Sequence, residues 1–134
     1  MGLQSHGIVA LVRNADGAFL LLEDSREATK GLWAPPHGSC ETYDQSEEQT
    51  VIREVKEETN LDVAPTAKVL TQAADTKLKT VSFWLVTTRD GTVALNEESS
   101  QSGWFTIDQA LQLSLYPGTK SFFEKVRHGD VILP

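Results

Sequence analysis

The sequence predicts a mixed α/β domain, a helix–sheet–helix sandwich. Three observations predict it: two short apolar runs joined by turn residues near the N-terminus, a strongly acidic helix with one apolar stripe in the middle, and later β-type runs leading into two short helical segments.

Gly7 to Val12 and Ala18 to Leu22 are the apolar runs, and Asn14-Ala15-Asp16-Gly17 supplies turn chemistry between them, so the pair reads as a hairpin. Leu32-Trp33-Ala34-Pro35-Pro36 then leads into a loop around Gly38. The two prolines donate no backbone hydrogen bond, which marks an edge or a stiff turn. Ser46, with Gln49 three residues on, is a capping-box pattern, and Glu47 and Glu48 suit the positive end of a helix dipole. Val51, Ile52, Val55 and the Thr59 methyl recur at helical spacing and define a buried stripe. Asn60, Leu61 and Pro65 spell the stop, which places the helix at 46–59. Residues 67–72 and 81–87 read as strands, Arg89-Asp90-Gly91 as a turn and 103–106 as a last short strand. Residues 108–113 and 119–127 look helical, with Tyr116-Pro117-Gly118 between them.

The chain has 134 residues and a mass of 14.7 kDa, one domain spanning 1–134, and 40% hydrophobic residues suffice for a core. Cys40 is the single cysteine, which excludes an intramolecular disulfide framework and a multi-cysteine zinc site. No apolar run approaches the roughly 18 residues of a membrane span, no basic region precedes a hydrophobic stretch at the N-terminus, and His6 stands where a myristoylation signal needs Ser or Thr. A soluble, cytoplasmic protein is expected. The net charge of −7 and a pI near 4.9 argue against a nucleic-acid polymer as partner. Between Glu41 and Asp62 stand eight acids against two bases, a balance of −6 that holds nearly the whole net charge. Such a run is often only a solvated helix face.

The spacing within the run says more. Glu54, Glu57 and Glu58 stand at i, i+3 and i+4 and so share a helix face, where like charges repel. Arg53 pairs with Glu57 at i+4, but one cation does not neutralise three anions. Mg²⁺ or Mn²⁺, which prefer carboxylate and carbonyl oxygen, would offset the repulsion, and magnesium held by few carboxylates keeps open positions for phosphate substrates.

His37-Gly38-Ser39-Cys40-Glu41 through Arg53-Glu54-Val55-Lys56-Glu57-Glu58-Thr59-Asn60-Leu61 resembles the Nudix box, G-x5-E-x7-R-E-U-x-E-E-x-G-U, and meets its R-E-U-x-E-E core at every position. The box covers about a sixth of the chain, while length and strand order resemble a minimal, MutT-like Nudix hydrolase with a mixed β-sheet. The chain departs from the box in three places. One residue is inserted between Gly38 and Arg53, so either Asp44 or Gln45 falls at the first glutamate; His37 stands where another Gly is frequent; Asn60 replaces the closing Gly. Of possible substitutes for the first acid, Asp44 is nearer in loop count, whereas Glu48 lies on the line toward Ile52 and hence toward the core.

The resemblance implies that Glu54, Glu57 and Glu58 hold divalent metal, that one of them serves or orients the base for attacking water, and that the backbone near Gly38 joins them. It implies that Arg53 orients the glutamates, and that a further acid precedes a Trp-Phe strand, for which Glu98, ahead of Trp104-Phe105, is chosen over Glu97. Arg26, Lys77, Lys79 and His37 are candidates for substrate phosphates, against the plainer reading of solvated lysines and an exposed loop histidine. Trp33, Phe83, Trp84 and Trp104 are read first as core and only second as platforms for a base. Cys40 with His37 lacks an orienting group and is not read as a nucleophile.

The implied function is metal-dependent hydrolysis of a nucleoside diphosphate linked to another moiety. A catalytically weak nucleotide-binding module and an acidic interaction domain are the rivals. Members acting on ADP-sugars often carry a proline where Thr76 and Lys77 stand, and members acting on dinucleoside polyphosphates often a tyrosine absent from Lys77 to Lys79, which tilts the expectation toward (d)NTPs or a broad nucleotide range. Many members pair as homodimers.

Overall fold

Strand β1 (His6–Arg13) turns alternate side chains to two different cores, and the rest of the fold is arranged around it. Residues 5–74 and 78–134 are described by the structure, a computed structural model; the expectations resting on Thr76 and Lys77 lie outside them. Nine further elements follow: β2 (Phe19–Asp24), β3 (Trp33–Ala34), β4 (His37–Ser39), α1 (Glu47–Thr59), β5 (Asp62–Ala73), β6 (Thr80–Asp90), β7 (Ser99–Phe105), α2 (Ile107–Ala110) and α3 (Pro117–Arg127). Ile8, Ala10 and Val12 face Val51 and Val55 of α1, whereas Val9 and Leu11 face Phe122 and Phe123 of α3. One sheet therefore separates α1 from α2 and α3, as the sandwich reading expects. Each fully buried valine of α1 contributes about 1.5–3 kcal/mol by leaving water. On the other side Phe83 stacks on Phe122 with ring centroids 4.2 Å apart.

The sheet is mixed: β1 runs parallel to β6 over its whole length and antiparallel to β2 and β4, with the order β3-β2-β1-β6-β5 and β7 on β2. The expected hairpin is present, with the Asn14 side chain accepting from Asp16 and Ala18 amides in its turn. It pairs only at Arg13 and Phe19. Beyond that point β1 takes β4 as partner on its free edge and β2 takes β3, so the hairpin splays and the Pro35-Pro36 connection sits in the opening. The Pro36 carbonyl accepts from the Ala10 amide at 2.8 Å.

Helix α1 begins and ends as the sequence indicates. Ser46 Oγ accepts from the Gln49 amide, and Asn60 closes the helix in the left-handed region at φ 67° while its amide donates to the Lys56 carbonyl. The stripe needs correction: Thr50 replaces Ile52 in it, and Ile52 is 43% exposed. Glu48 is likewise exposed rather than directed at the core. Strands β5 and β6 run longer than expected, and β6 takes in Arg89 and Asp90 of the segment read as a turn, leaving Gly91 at positive φ beyond its end. Register shifts after Asp62, Pro65 and Lys68 break the alternation from which a strand is recognised. β7 starts four residues early because its Ser-Ser-Gln-Ser segment is polar. α2 is one turn with a full capping box between Thr106 and Gln109, after which Gln112 and Leu113 tighten to i−3 bonds. Among the described residues no helix is long and apolar enough to cross a membrane.

Asn60 provides a direct test of the helix stop. Asn60→Gly keeps or raises the melting temperature, because glycine adopts positive φ freely, whereas Asn60→Val lowers stability by about 1 kcal/mol or more in urea unfolding.

Candidate active site

Arg53 projects from α1 back across the loop that precedes the helix. Its Nε and a terminal nitrogen meet both oxygens of Asp44 at 3.0 and 2.8 Å, the bidentate geometry that suits a guanidinium. The same terminal nitrogen donates to the Ser39 carbonyl at 3.0 Å, and the Tyr43 ring covers the guanidinium at 5.3 Å. The other terminal nitrogen reaches Glu54 at 3.1 Å and Glu57 only at 3.4 Å. The expected Arg53–Glu57 pair is thus the weaker contact, and Asp44 is the main partner. Asp44 also accepts from Thr50 Oγ1 and the Glu41 amide, and its carboxyl is held down at about 2, chiefly by Arg53. Gln45, by contrast, is exposed, and its amide donates to Gln49 Oε1.

The three glutamates separate by depth. Glu57 is open to solvent, Glu54 half-buried and Glu58 only 7% exposed. Burial raises the Glu54 carboxyl above its ordinary range against the pull of Arg53. Glu58 is raised further, first by burial and then by the neighbouring Glu54 charge. The His37 amide donates to Glu58, yet Glu58 Oε2 is buried without a hydrogen-bond partner among the described residues. Gly38 is required beside them: a Cβ there would fall on the Glu54 carboxylate. Its carbonyl oxygen lies against Gly7 of β1, 2.6 Å from where a Cβ on that residue would stand. Among the described residues no three His, Cys, Asp or Glu side chains converge as a metal cage.

A polar cleft of about 260 Å³ opens over Glu58, lined also by Asp24, Arg26, His37, Glu98 and Tyr116. Glu98 lines the same cleft as Glu58, and two tethers fix its segment. Asn96 binds the Glu57 carbonyl through Nδ2 and the Glu98 amide through Oδ1, and Ser25 donates to the Glu97 and Glu98 carbonyls. Arg26 lines the cleft but is gripped by Asp24, a buried acid at the end of β2 that sequence reading missed. Burial pushes the Asp24 carboxyl up, yet Arg26, Thr29 and the Tyr116 hydroxyl together hold it well below the carboxylate range. His37 is no exposed loop residue: it belongs to β4, and its Nδ1 meets the Pro35 carbonyl at 2.8 Å. Burial lowers its pKa, so at neutral pH it is the uncharged imidazole with Nδ1–H donating to that carbonyl. Lys79 is exposed and lines neither cleft. Cys40 packs at the edge of the core with its thiol pushed up by burial.

A second, apolar cleft of about 460 Å³, partly open to solvent, shares Ala34, His37 and Tyr116 with the first. Phe83 lines it, while Trp33 and Trp84 lie in the two cores, Trp84 donating to Glu47 at 2.9 Å. Trp104 is 37% exposed and departs from the core assignment.

The Asp44–Arg53 pair carries a pH signature. Because the Asp44 carboxyl lies lower folded than unfolded, its contribution is fully present above its ordinary 3.8 and is lost as pH falls toward about 2. Asp44→Asn therefore lowers the melting temperature at pH 7 and narrows the gap to the parent protein between pH 4 and 2, as followed by urea unfolding across that range.

A MutT protein from Methanosarcina mazei Go1 is 27% identical, with a TM-score of 0.76 over 93% of this chain and 94% of that one. A C. elegans Ap4A hydrolase is 26% identical over 93% and 96% of the two chains at 0.71. An ADP-ribose pyrophosphatase from Streptococcus suis 89-1591 is 26% identical over 92% of each, also at 0.71. No curated protein sequence matches the chain. The NUDIX domain family matches residues 4–126, nearly the full length and all of the acid-bearing helix with the cleft above it. The chain belongs to the NUDIX domain family, hydrolases of phosphoric anhydrides.

Proposed function

We propose that the chain is a divalent-metal-dependent pyrophosphohydrolase of nucleoside diphosphate derivatives, nucleoside triphosphates among them. The observation that carries this reading is Glu58: a buried carboxyl with one oxygen unpartnered, crowded against Glu54 above a glycine whose missing Cβ makes the room. Two carboxylates so placed repel unless a proton or a cation lies between them, and hard oxygen donors suit Mg²⁺ or Mn²⁺. Glu54, Glu57 and Glu58, with Glu98 at the cleft, are the residues that would hold it, whereas the Gly38 carbonyl is turned to β1. Bound there, the metal supplies charge neutralisation on the phosphoryl oxygens and a lowered pKa for attacking water.

The remaining work falls to the chain itself. Glu54 and Glu57, less buried than Glu58, are placed to take the proton that the attacking water releases. Arg53 keeps both oriented because Asp44 fixes its other edge. Arg26, half-exposed and aimed by Asp24, meets the substrate's phosphates, and neutral His37 offers Nε2 at the junction of the two clefts. The apolar cleft receives the base. The bidentate contact of Asp44 with Arg53 supports reading Asp44 as the source of the negative charge that Gln45 lacks.

Chelation with EDTA abolishes nucleoside triphosphate turnover, and Mg²⁺ or Mn²⁺ restores it; undiminished phosphate release in chelator would refute the metal role. Glu58→Gln lowers kcat by orders of magnitude while the metal-free protein melts at the same or a higher temperature, because a neutral side chain relieves the crowding. Gly38→Ala folds, since the atoms it displaces are the mobile end of Glu54, but loses at least tenfold in kcat, a separation read by steady-state kinetics beside thermal melting.

A further inference from the structure

The apolar cleft contains one polar group with nothing to bind. Gln72, on β5, lines it together with Ile8, Val81 and Phe83. Its Nε2 donates to the Gly118 carbonyl at 3.4 Å, and its Oε1 is buried with no hydrogen-bond partner among the described residues. The carbonyl contact settles which end of the amide is which: a flipped Gln72 would set two oxygens against each other. The backbone around it is already committed, Gln72 pairing with Val81 and Ala73 with Thr80 in the sheet, and the Ala74 amide donating to the Lys79 carbonyl. What the cleft lacks is therefore a hydrogen-bond donor, presented from a flat apolar body.

A buried acceptor left unsatisfied costs about 1–3 kcal/mol, and sites built around one reject analogues that bring no donor. Among nucleobases the clean contrast is an exocyclic amino group against a keto oxygen at the same ring position, as in cytosine against uracil or adenine against hypoxanthine. The two members of each pair have nearly the same size and shape, so stacking and fit do not separate them. The keto member brings an acceptor to an acceptor. Resting on the reading above that this cleft receives the base, we propose that Gln72 is a specificity-determining residue whose Oε1 accepts from the exocyclic amino group, so that the enzyme selects amino-bearing bases over their keto counterparts.

The test needs no metal. Calorimetric titration of the protein with CMP and UMP, and with AMP and IMP, is expected to show at least a tenfold tighter Kd for the amino member of a pair. Gln72→Leu, which removes the acceptor at similar volume, brings the ratio to within about twofold. Gln72→Met, which also lacks the acceptor but is unbranched and of similar length, is expected to give the same loss and covers a Leu variant that does not fold. Equal affinities in the parent protein, or a ratio that survives in a folded Gln72→Leu, overturns the proposal. Turnover with Mg²⁺ distinguishes the two levels of failure. If CTP, UTP, ATP and ITP are all hydrolysed at equal kcat/KM, the role of Gln72 falls while the function stands; if none is hydrolysed, the functional reading falls with it.

Discussion

The Arg53 guanidinium joins segments that are far apart in sequence, and the acid side of the molecule depends on it. One edge is committed to Asp44 and the Ser39 carbonyl, one face to Tyr43, and only the remaining nitrogen is left for Glu54 and Glu57. An arginine bound only to the glutamates would follow them as they moved. Anchored in the preceding loop, it instead fixes the direction from which positive charge reaches them. Burial raises the Glu54 carboxyl against the pull of that one cation, and burial together with the Glu54 charge raises Glu58. Placing those carboxylates together opposes stability, and the apolar contacts of Val51 and Val55 on the same helix offset it.

The opened hairpin supplies the other half of the arrangement. Because β1 and β2 separate after a single paired position, a short strand fits onto each inner edge, and His37 and Gly38 join the sheet there, with Gly38 turned to Glu54 of α1 and the His37 ring to Tyr116. The same opening puts Ala34 and His37 on both clefts, so the polar and apolar halves of the site are adjacent without a linking loop. Tyr116 closes the junction from the far side of the chain by its hydrogen bond to Asp24.

Legibility in the sequence followed the range of the forces involved. The bounds of α1 were readable because Ser46, the valine stripe and Asn60 act within a turn or two of one another. Glu54, Glu57 and Glu58 were readable for the same reason, since their spacing alone puts them on one face. Ile52 misled because helical spacing does not say how wide the buried stripe is. Asp24 was invisible: its partners stand at 26, 29 and 116, and an acid ending an apolar strand looks like any solvated residue. An Arg two positions after such an acid is the local signal that was available. Gln72 offered none, because its significance lies in a hydrogen bond it does not make.

The irregularity of β5 has a consequence for how copies of this chain meet. β5 ends the order of the sheet, the position from which an unpaired strand edge invites another chain to add by main-chain hydrogen bonds. Three register shifts in its pairing with β6 bend β5, and Pro65 leaves the strand one amide short. No long regular row of donors and acceptors is left to template a neighbour, so the departures that conceal β5 from pattern reading also defend the domain against growth into cross-strand aggregates.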